Sequence, residues 1–171
     1  MTGFVRRGRG LESDRPPSNA LVVRSLTKEL GMPGLRMGYV VSEADLAGQL
    51  PGVLPAWPLS APAIAAAVAG FGDPSHVAAG AHLGHLHVAQ LAEALAATGA
   101  VPMPSDANYL VAHAPGAAPV LLRGGIAVRD STSFGLPGHV RLAAPKPGEM
   151  KAVLTAIAGL AATTDGLTRQ A

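Results

Sequence analysis

Two short apolar segments, rich in β-branched residues, flank one polar, turn-forming run near the start of this chain. The first segment is ALVVRS, from Ala20, and the second is RMGYVVS, from Arg36 to Ser42. Apolar runs of this length predict strands. Between them lie Lys28 and the pair Pro33–Gly34, and proline followed by glycine marks a turn. The pattern therefore predicts two strands with a lysine in the connection between them.

Composition limits the classes of protein to which the chain can belong. It has 171 residues, 49% hydrophobic and 14% charged, with a net charge of +2, which suits a core of Ala, Val and Leu and leaves no nucleic-acid footprint. It has no cysteine, so disulfides and thiolate sites are excluded. No secretory signal is recognisable, and the apolar run from Ala61 to Gly70 is too short to cross a bilayer. We therefore expect a cytoplasmic protein that binds neither nucleic acid nor membrane.

Helical and strand patterns alternate along the rest of the sequence. Residues 1–19 read as a loop. Helices are predicted over residues 43–50, with Ser42 as N-cap, over 60–71 and 76–98, within 114–125, and within 146–163. Strands are predicted for Asn108 to Ala114, Ile126 to Ser131 and His139 to Ala144. Strands with flanking helices predict an α+β layer in this half of the chain.

The polar run places chemically useful groups at fixed steps, namely Ser25, Thr27, Lys28 and Arg36. A lysine that bonds to a carbonyl cofactor needs a rigid position beside a held anion. Hydroxyls before it and a guanidinium after it can supply that anion site. The alternative is an exposed lysine at a strand end, followed by an ordinary Pro-Gly turn.

The run RSLTKELGMPGLRMGY resembles the cofactor-lysine motif of class I/II aminotransferases, the fold-type-I pyridoxal-phosphate enzymes. It is most similar to the branch of histidinol-phosphate aminotransferase and threonine-phosphate decarboxylase, and it leans toward the cobalamin-pathway decarboxylases. The resemblance implies that Lys28 is the catalytic residue, which holds pyridoxal 5'-phosphate covalently and shuttles the proton at the substrate α-carbon. It implies that Ser25 and Arg36 bind the cofactor phosphate, with Thr27 as a second hydroxyl.

Glycines in the same run match family positions where the backbone turns tightly. They are Gly34 and Gly38, and glycine allows such turns because it has no Cβ.

A second set of candidate residues lies in the C-terminal half. The segment GIAVRDSTSFGLPGHVRLA resembles the family's C-terminal signature, in which an arginine binds the substrate α-carboxylate, and Arg141 is the match. Arg129 matches an upstream arginine that helps hold a distal phosphate; the alternative is a solvated partner of surface carboxylates. The segment SDANYLV resembles the strand that carries an asparagine near the substrate, so Asn108 either binds substrate or caps a turn.

Three histidines form an H-x-x-H-x-H pattern in the helix predicted over 76–98. They are His82, His85 and His87. The first two can share a helix face but the third cannot, and no acidic or cysteine cluster accompanies them. We expect solvated histidines and no metal site.

The resemblance extends from about Leu21 to Leu160 and implies the fold class. That class is α/β, the C-terminal portion of a fold-type-I transferase with the last strands of the large-domain sheet plus an α+β small domain. Residues 1–58 would be a remnant of the large cofactor-binding domain and a linker, and 59–171 the small domain. The family's glycine-containing phosphate loop is not recognisable. The aspartate that pairs with the pyridine nitrogen is not recognisable either, since Glu12 and Asp14 are the only acidic residues before the segment 25–36, here called the lysine turn. We therefore expect a truncated or mis-started chain.

The functional expectation is a pyridoxal-phosphate-dependent, aminotransferase-like protein that acts on a small amino acid, phosphorylated or not. Transamination and decarboxylation both remain open, as do histidinol phosphate and threonine phosphate as substrates. Whether the chain alone is an enzyme also stays open. Family members form homodimers that share their active sites. The alternative is a catalytically inactive fragment that acts only by association with a partner chain.

Overall fold

The computed structural model describes the backbone of residues 17–168 and the side chains of residues 17–161. The chain forms two compact units that divide between Ala81 and His82. The strands are β1 (Val22–Ser25), β2 (Gly38–Val41), β3 (Val101–Pro102), β4 (Tyr109–His113), β5 (Arg129–Asp130) and β6 (His139–Ala143). The helices are α1 (Leu26–Glu29), α2 (Ala44–Ala47), α3 (Ala61–Phe71), α4 (Pro74–Ala96), α5 (Ala117–Arg123) and α6 (Met150–Thr168).

In the first unit, β1 and β2 pair antiparallel, with Ser25 opposite Gly38. Leu26, Leu30 and Met37 are buried beside them. Helix α3 packs tightly here, because a Cβ at Gly70 would lie 2.6 Å from the Leu30 side chain. The two predicted strands are thus confirmed, and the connection between them is held by its own small core.

In the second unit, four antiparallel strands form a sheet in the order β3-β4-β6-β5. Alternate residues of β4 and β6 are buried in one core with side chains from α4, α5 and α6. The intervening residues of β4 and β6 point to the opposite face, because side chains alternate along a strand. That face carries Tyr109, His113 and Arg141, which are exposed.

The predicted elements are confirmed for the most part, and the deviations have local causes. Ser60, predicted as the first residue of this helix, is the N-cap of α3, since its Oγ accepts a hydrogen bond from the Ala63 N–H at 3.3 Å. Ser42 does not cap α2, whose N-cap is Glu43, and the Ser42 Oγ is buried with no hydrogen-bond partner among the residues that the structure describes. Strand β5 has two residues rather than six, and β3 was not predicted because it is two residues long and contains a proline.

Two expectations concern residues outside the described part of the chain and the position of the domain boundary. The predicted loop over residues 1–19, with Glu12 and Asp14, lies almost wholly outside the described residues. The predicted domain boundary after residue 58 differs from the division between the compact units and stays a prediction. Within the described part of the chain, no helix combines the length and hydropathy needed to span a bilayer.

Candidate active site

Lys28 lies in the one-turn helix α1, which begins directly after β1 ends. Ser25 is the N-cap of this helix, and its Oγ accepts a hydrogen bond from the Thr27 N–H at 3.4 Å. The two hydroxyl oxygens, Ser25 Oγ and Thr27 Oγ1, lie 2.8 Å apart. The Lys28 side chain is exposed, and the described residues offer its amine no hydrogen bond or ion pair. Two adjacent hydroxyls therefore precede an accessible amine.

Strand pairing brings Arg36 to the same end of the β1–β2 hairpin. The pairing continues one step beyond the strands, because the Leu26 N–H donates to the Met37 carbonyl at 3.2 Å. The next residues outward are Thr27 on one side and Arg36 on the other. The structure thus brings three of the candidate cofactor residues, together with Lys28, to one edge of the unit.

Arg36 has a backbone conformation that L-residues rarely adopt. Its φ is 51° and its ψ is 53°, and it is the one non-glycine residue with positive φ in the described part of the chain. This left-handed conformation costs roughly 1–2 kcal/mol, and such strain clusters at functional sites. Its Nη1 donates to the Pro33 carbonyl at 3.1 Å, while the side chain stays exposed. The strain favours a functional role for this arginine.

The two glycines of the run differ in what their positions require. A Cβ at Gly38 would lie 2.3 Å from the Arg24 carbonyl oxygen on the opposite strand. No real Cβ approaches a backbone atom so closely, so this position requires glycine. Gly34 lies in a 3₁₀ turn, Pro33–Leu35, but a Cβ there would meet nothing within 4 Å. The tight turn predicted at Gly34 exists without needing a glycine.

An ion pair that was not predicted from the sequence connects residues on either side of Lys28. Arg24 Nη2 lies 2.5 Å from Glu29 Oε1, and the two side chains are only 16% and 13% exposed. Arg24 is on β1 and Glu29 ends α1, so the pair ties the strand to the helix that carries Lys28. A spacing of five residues across a strand–helix junction matches no regular helix or strand pattern, so the sequence alone carried no signal for it.

The second unit places two candidate substrate residues side by side. Arg141 on β6 lies directly opposite Arg129 on β5, and both side chains are exposed. Each guanidinium lies over an aromatic ring, Arg141 at 5.2 Å from the Tyr109 centroid and Arg129 at 5.3 Å from that of Phe134. Like charges directly opposite in a sheet repel, and a planar guanidinium group can bind a carboxylate or phosphate through two parallel hydrogen bonds.

Neither arginine has a carboxylate partner within the described residues. Asp130, next to Arg129, is engaged in a turn, where its Oδ1 accepts from the Thr132 N–H at 2.7 Å. Hydrogen bonds from the Thr132 side chain and backbone lower the pKa of Asp130, and the nearby Arg129 charge contributes least. The alternative of Arg129 as a partner of surface carboxylates therefore finds no support here.

Asn108 lies immediately before β4, where its carbonyl accepts from the Ala144 N–H at 2.8 Å. Its side chain makes no hydrogen bond with the part of the chain that the structure describes. The capping role in this turn belongs to Ser105, whose Oγ accepts from the Ala107 N–H at 3.2 Å and donates to the Tyr109 carbonyl at 2.5 Å. The side-chain amide of Asn108 is thus not used as a cap.

The histidines of α4 differ from the expectation of solvated side chains. His87 is buried, with its Nδ1 2.8 Å from the Pro145 carbonyl, so the expectation is wrong for this residue. His85 is half-buried, with Nε2 3.3 Å from the Asp106 carbonyl, and His82 is exposed. Among the described residues there is no group of three or more potential metal ligands.

Comparison with known proteins identifies the family. The family model described as aminotransferase class I and II matches residues 2–157. Histidinol-phosphate aminotransferase 1 of Nitrosococcus oceani is 36% identical over 128 residues, which are 72% of this chain and 35% of that relative. The chain thus spans about a third of the length of this curated relative.

Two solved structures share the fold. L-threonine-O-3-phosphate decarboxylase from Porphyromonas gingivalis superposes with a TM-score of 0.75 at 21% identity, covering 91% of this chain and 51% of that one. Histidinol-phosphate aminotransferase from Sinorhizobium meliloti, in complex with pyridoxal-5'-phosphate, gives 0.71 at 18% identity and covers 90% and 44%. These overlaps confirm the predicted fold class, a C-terminal portion of the fold-type-I architecture. The chain belongs to the class I and II aminotransferases, a family that depends on pyridoxal phosphate.

Proposed function

We propose that this chain takes part in pyridoxal-phosphate-dependent chemistry on amino acids, with Lys28 as the residue that bonds to the cofactor. The observation that carries the proposal is the lysine turn. Its exposed amine follows two hydroxyls that lie 2.8 Å apart, and Arg36 comes to the same end of the hairpin.

The donor set of this turn fits the cofactor. A phosphate monoester accepts hydrogen bonds from hydroxyls and from a guanidinium, which are the groups of Ser25, Thr27 and Arg36. A primary amine is the group that condenses with an aldehyde, and Lys28 provides one. When bound, the cofactor supplies an electron sink for bond breaking at the substrate α-carbon.

Some residues of this chain would then hold the cofactor, and one would transfer the proton. Ser25, Thr27 and Arg36 hold the phosphate and so fix the position of the ring. The Lys28 amine takes the proton that leaves the α-carbon and returns it, acting as general base and general acid. The ion pair of Arg24 with Glu29 keeps the turn in place while the lysine side chain moves.

For the substrate, we propose a small phosphorylated amino acid or phosphorylated amino alcohol. The support is the pair Arg129 and Arg141, two residues opposite each other in the sheet whose guanidinium groups have no carboxylate partners in the described residues. Arg141 would bind the α-carboxylate and Arg129 the distal phosphate, with the amide of Asn108 as a further ligand. Threonine phosphate and histidinol phosphate are the candidates suggested by the relatives' names; histidinol phosphate lacks the carboxylate, so with it only the phosphate contact applies.

Covalent trapping tests the role of Lys28. The purified chain is incubated with pyridoxal phosphate, reduced with borohydride, and the adduct is mapped by mass spectrometry. We expect the adduct on Lys28, and about ten- to a hundredfold weaker cofactor binding in Arg36→Ala, from the loss of one charge-assisted contact. Lys146 and Lys151, both exposed, are internal controls. Equal labelling of all three lysines would reject the assignment.

Ligand binding tests the role of the arginines. Threonine phosphate, threonine and inorganic phosphate are titrated into the wild-type chain and into Arg129→Gln and Arg141→Gln. Arg129→Gln should weaken threonine phosphate and leave threonine unchanged, and Arg141→Gln should weaken both amino acids. If Arg129→Gln affected threonine and threonine phosphate equally, the phosphate role would be lost.

A second candidate role is association with another copy of this chain, and exposed apolar side chains in the first unit favour it. Val23, Val53, Trp57 and Phe71 are 75%, 78%, 91% and 61% exposed, and apolar surface of this kind marks interaction sites. The first unit contains the lysine turn and most of the proposed large-domain remnant, residues 1–58. This unit would then serve partly as an interface. Light scattering on the wild-type chain and on Trp57→Ser would detect the dimer and its loss; a wild-type monomer at high concentration would exclude this role.

A further inference from the structure

Two histidines face each other on the exposed side of the sheet in the second unit. His113 on β4 lies directly opposite His139 on β6. The next pair along the strands, Ala114 and Gly138, is hydrogen-bonded, because the Ala114 N–H donates to the Gly138 carbonyl at 2.9 Å. His113 and His139 are therefore a non-hydrogen-bonded pair, the position where facing side chains lie closest. Their ring centroids are 4.9 Å apart and the ring planes are inclined by 59°.

The ring separation matches the geometry of two imidazoles that share one metal ion. An imidazole nitrogen binds zinc at about 2.0–2.1 Å, and the ring centroid lies roughly 1.1 Å farther along the same line. Two such bonds meeting at about 90–109° put the centroids roughly 4.5–5.2 Å apart. The observed 4.9 Å falls inside this interval.

One of the two rings, that of His139, is oriented by a backbone carbonyl. The Nδ1 of His139 lies 2.9 Å from the Pro137 carbonyl. In the neutral ring Nδ1 then carries the proton, and Nε2 keeps the lone pair that a metal needs, a partner arrangement typical of ligating histidines. Gly138 leaves room for the other ring, since a Cβ there would lie 3.3 Å from His113 Nε2.

A positive charge on the same face of the sheet, that of Arg141, is directed away from the histidine pair. Arg141 is two residues along β6 and shares the face, but its guanidinium lies over Tyr109. Tyr109 is opposite Ala143, at the other end of the strand from His139. A cation between the imidazoles therefore does not meet this guanidinium directly.

We propose that His113 and His139 form a two-imidazole site for a borderline divalent transition metal ion, such as Cu²⁺, Ni²⁺ or Zn²⁺. Imidazole suits these ions, whereas Mg²⁺ and Ca²⁺ prefer oxygen ligands. No third protein ligand is available in the described residues, so water fills the remaining positions. None of the proposed cofactor or substrate residues is a ligand of this site, so it does not depend on their roles.

Isothermal titration of the metal chlorides into the untagged full chain tests the site at pH 7.5. We expect one ion per chain, tightest for Cu²⁺, then Ni²⁺ and Zn²⁺, and no binding of Mg²⁺ or Ca²⁺. His113→Gln and His139→Gln should each weaken Cu²⁺ binding at least tenfold.

The matched control is His82→Gln with His85→Gln, the other closely spaced pair, which should bind as the wild type does. Circular dichroism shows that each variant is folded. In the wild-type chain, low Cu²⁺ should broaden the NMR signals of His113 and His139 before those of the other four histidines. Absence of binding by the wild type, binding that survives loss of both sheet histidines, or binding lost in the helix control would each overturn the proposal.

Discussion

Gly38→Ala should destabilise the lysine turn far more than Gly34→Ala, although both glycines lie in the same run. At Gly38 an added Cβ would lie 2.3 Å from the Arg24 carbonyl oxygen. That oxygen belongs to the backbone of the paired strand, so no side-chain rotation can relieve the contact. At Gly34 the added Cβ would meet nothing within 4 Å and φ is not positive.

The magnitude follows from the two environments. Overpacking against a fixed neighbour costs about 1–3 kcal/mol, and here β1 and β2 must separate by several tenths of an ångström. Gly34→Ala should leave stability unchanged or raise it by about 0.4–1 kcal/mol, since alanine restricts the unfolded chain. A difference of about 2 kcal/mol corresponds to roughly a thirtyfold difference in the population of the opened hairpin.

Hydrogen exchange followed by mass spectrometry measures this locally, on the peptides that contain β1 and β2. Protection there should fall in Gly38→Ala and persist in Gly34→Ala, with the β4 and β6 peptides as the internal reference. Borohydride trapping at Lys28 should fall in parallel with protection. Equal protection in the two variants would refute the reasoning that the close approach at Gly38 holds the turn.

Three further predictions concern single charged groups. Arg36→Gly should be more stable than Arg36→Ala by about 1 kcal/mol in urea unfolding, because glycine adopts the left-handed conformation without strain, while both variants lose the guanidinium. Arg129→Gln should raise the free energy of unfolding by about 0.2–1 kcal/mol at low salt by removing repulsion from Arg141, and this gain should vanish at high salt; a gain that persists at high salt would contradict the charge argument. The hydrogen bonds from the Ser75 side chain and the His76 backbone lower the pKa of Asp73 below 3.8, so its contribution to stability is present at neutral pH and is lost as the pH falls through the lowered value. Asp73→Ala should therefore be less stable than wild type at pH 7 and converge with it in strong acid, as acid unfolding curves would show.

Much of the local structure and the candidate site was readable from the sequence, because the signals are short-range. The strand predicted for Asn108 to Ala114 is present as β4, and the structure buries Leu110 and Ala112 while exposing Tyr109 and His113. The position of Lys28 between two strands was likewise predicted from adjacent residues. Ser42 failed as a cap because a serine before a short helix is only a propensity, and the structure begins α2 one residue later.

The sequence by itself determined the family motif, the order of the helices and of all strands except β3, and which residue types stand near Lys28. Only the tertiary structure decided which residues meet across strands. The opposition of Arg129 with Arg141, the facing rings of His113 and His139, and the need for glycine at position 38 all follow from strand register. Register depends on which faces are buried and on how turns close, and these are set by packing between segments far apart in the chain. No local pattern carries that information, so the pairs that define the proposed sites became visible only in the folded chain.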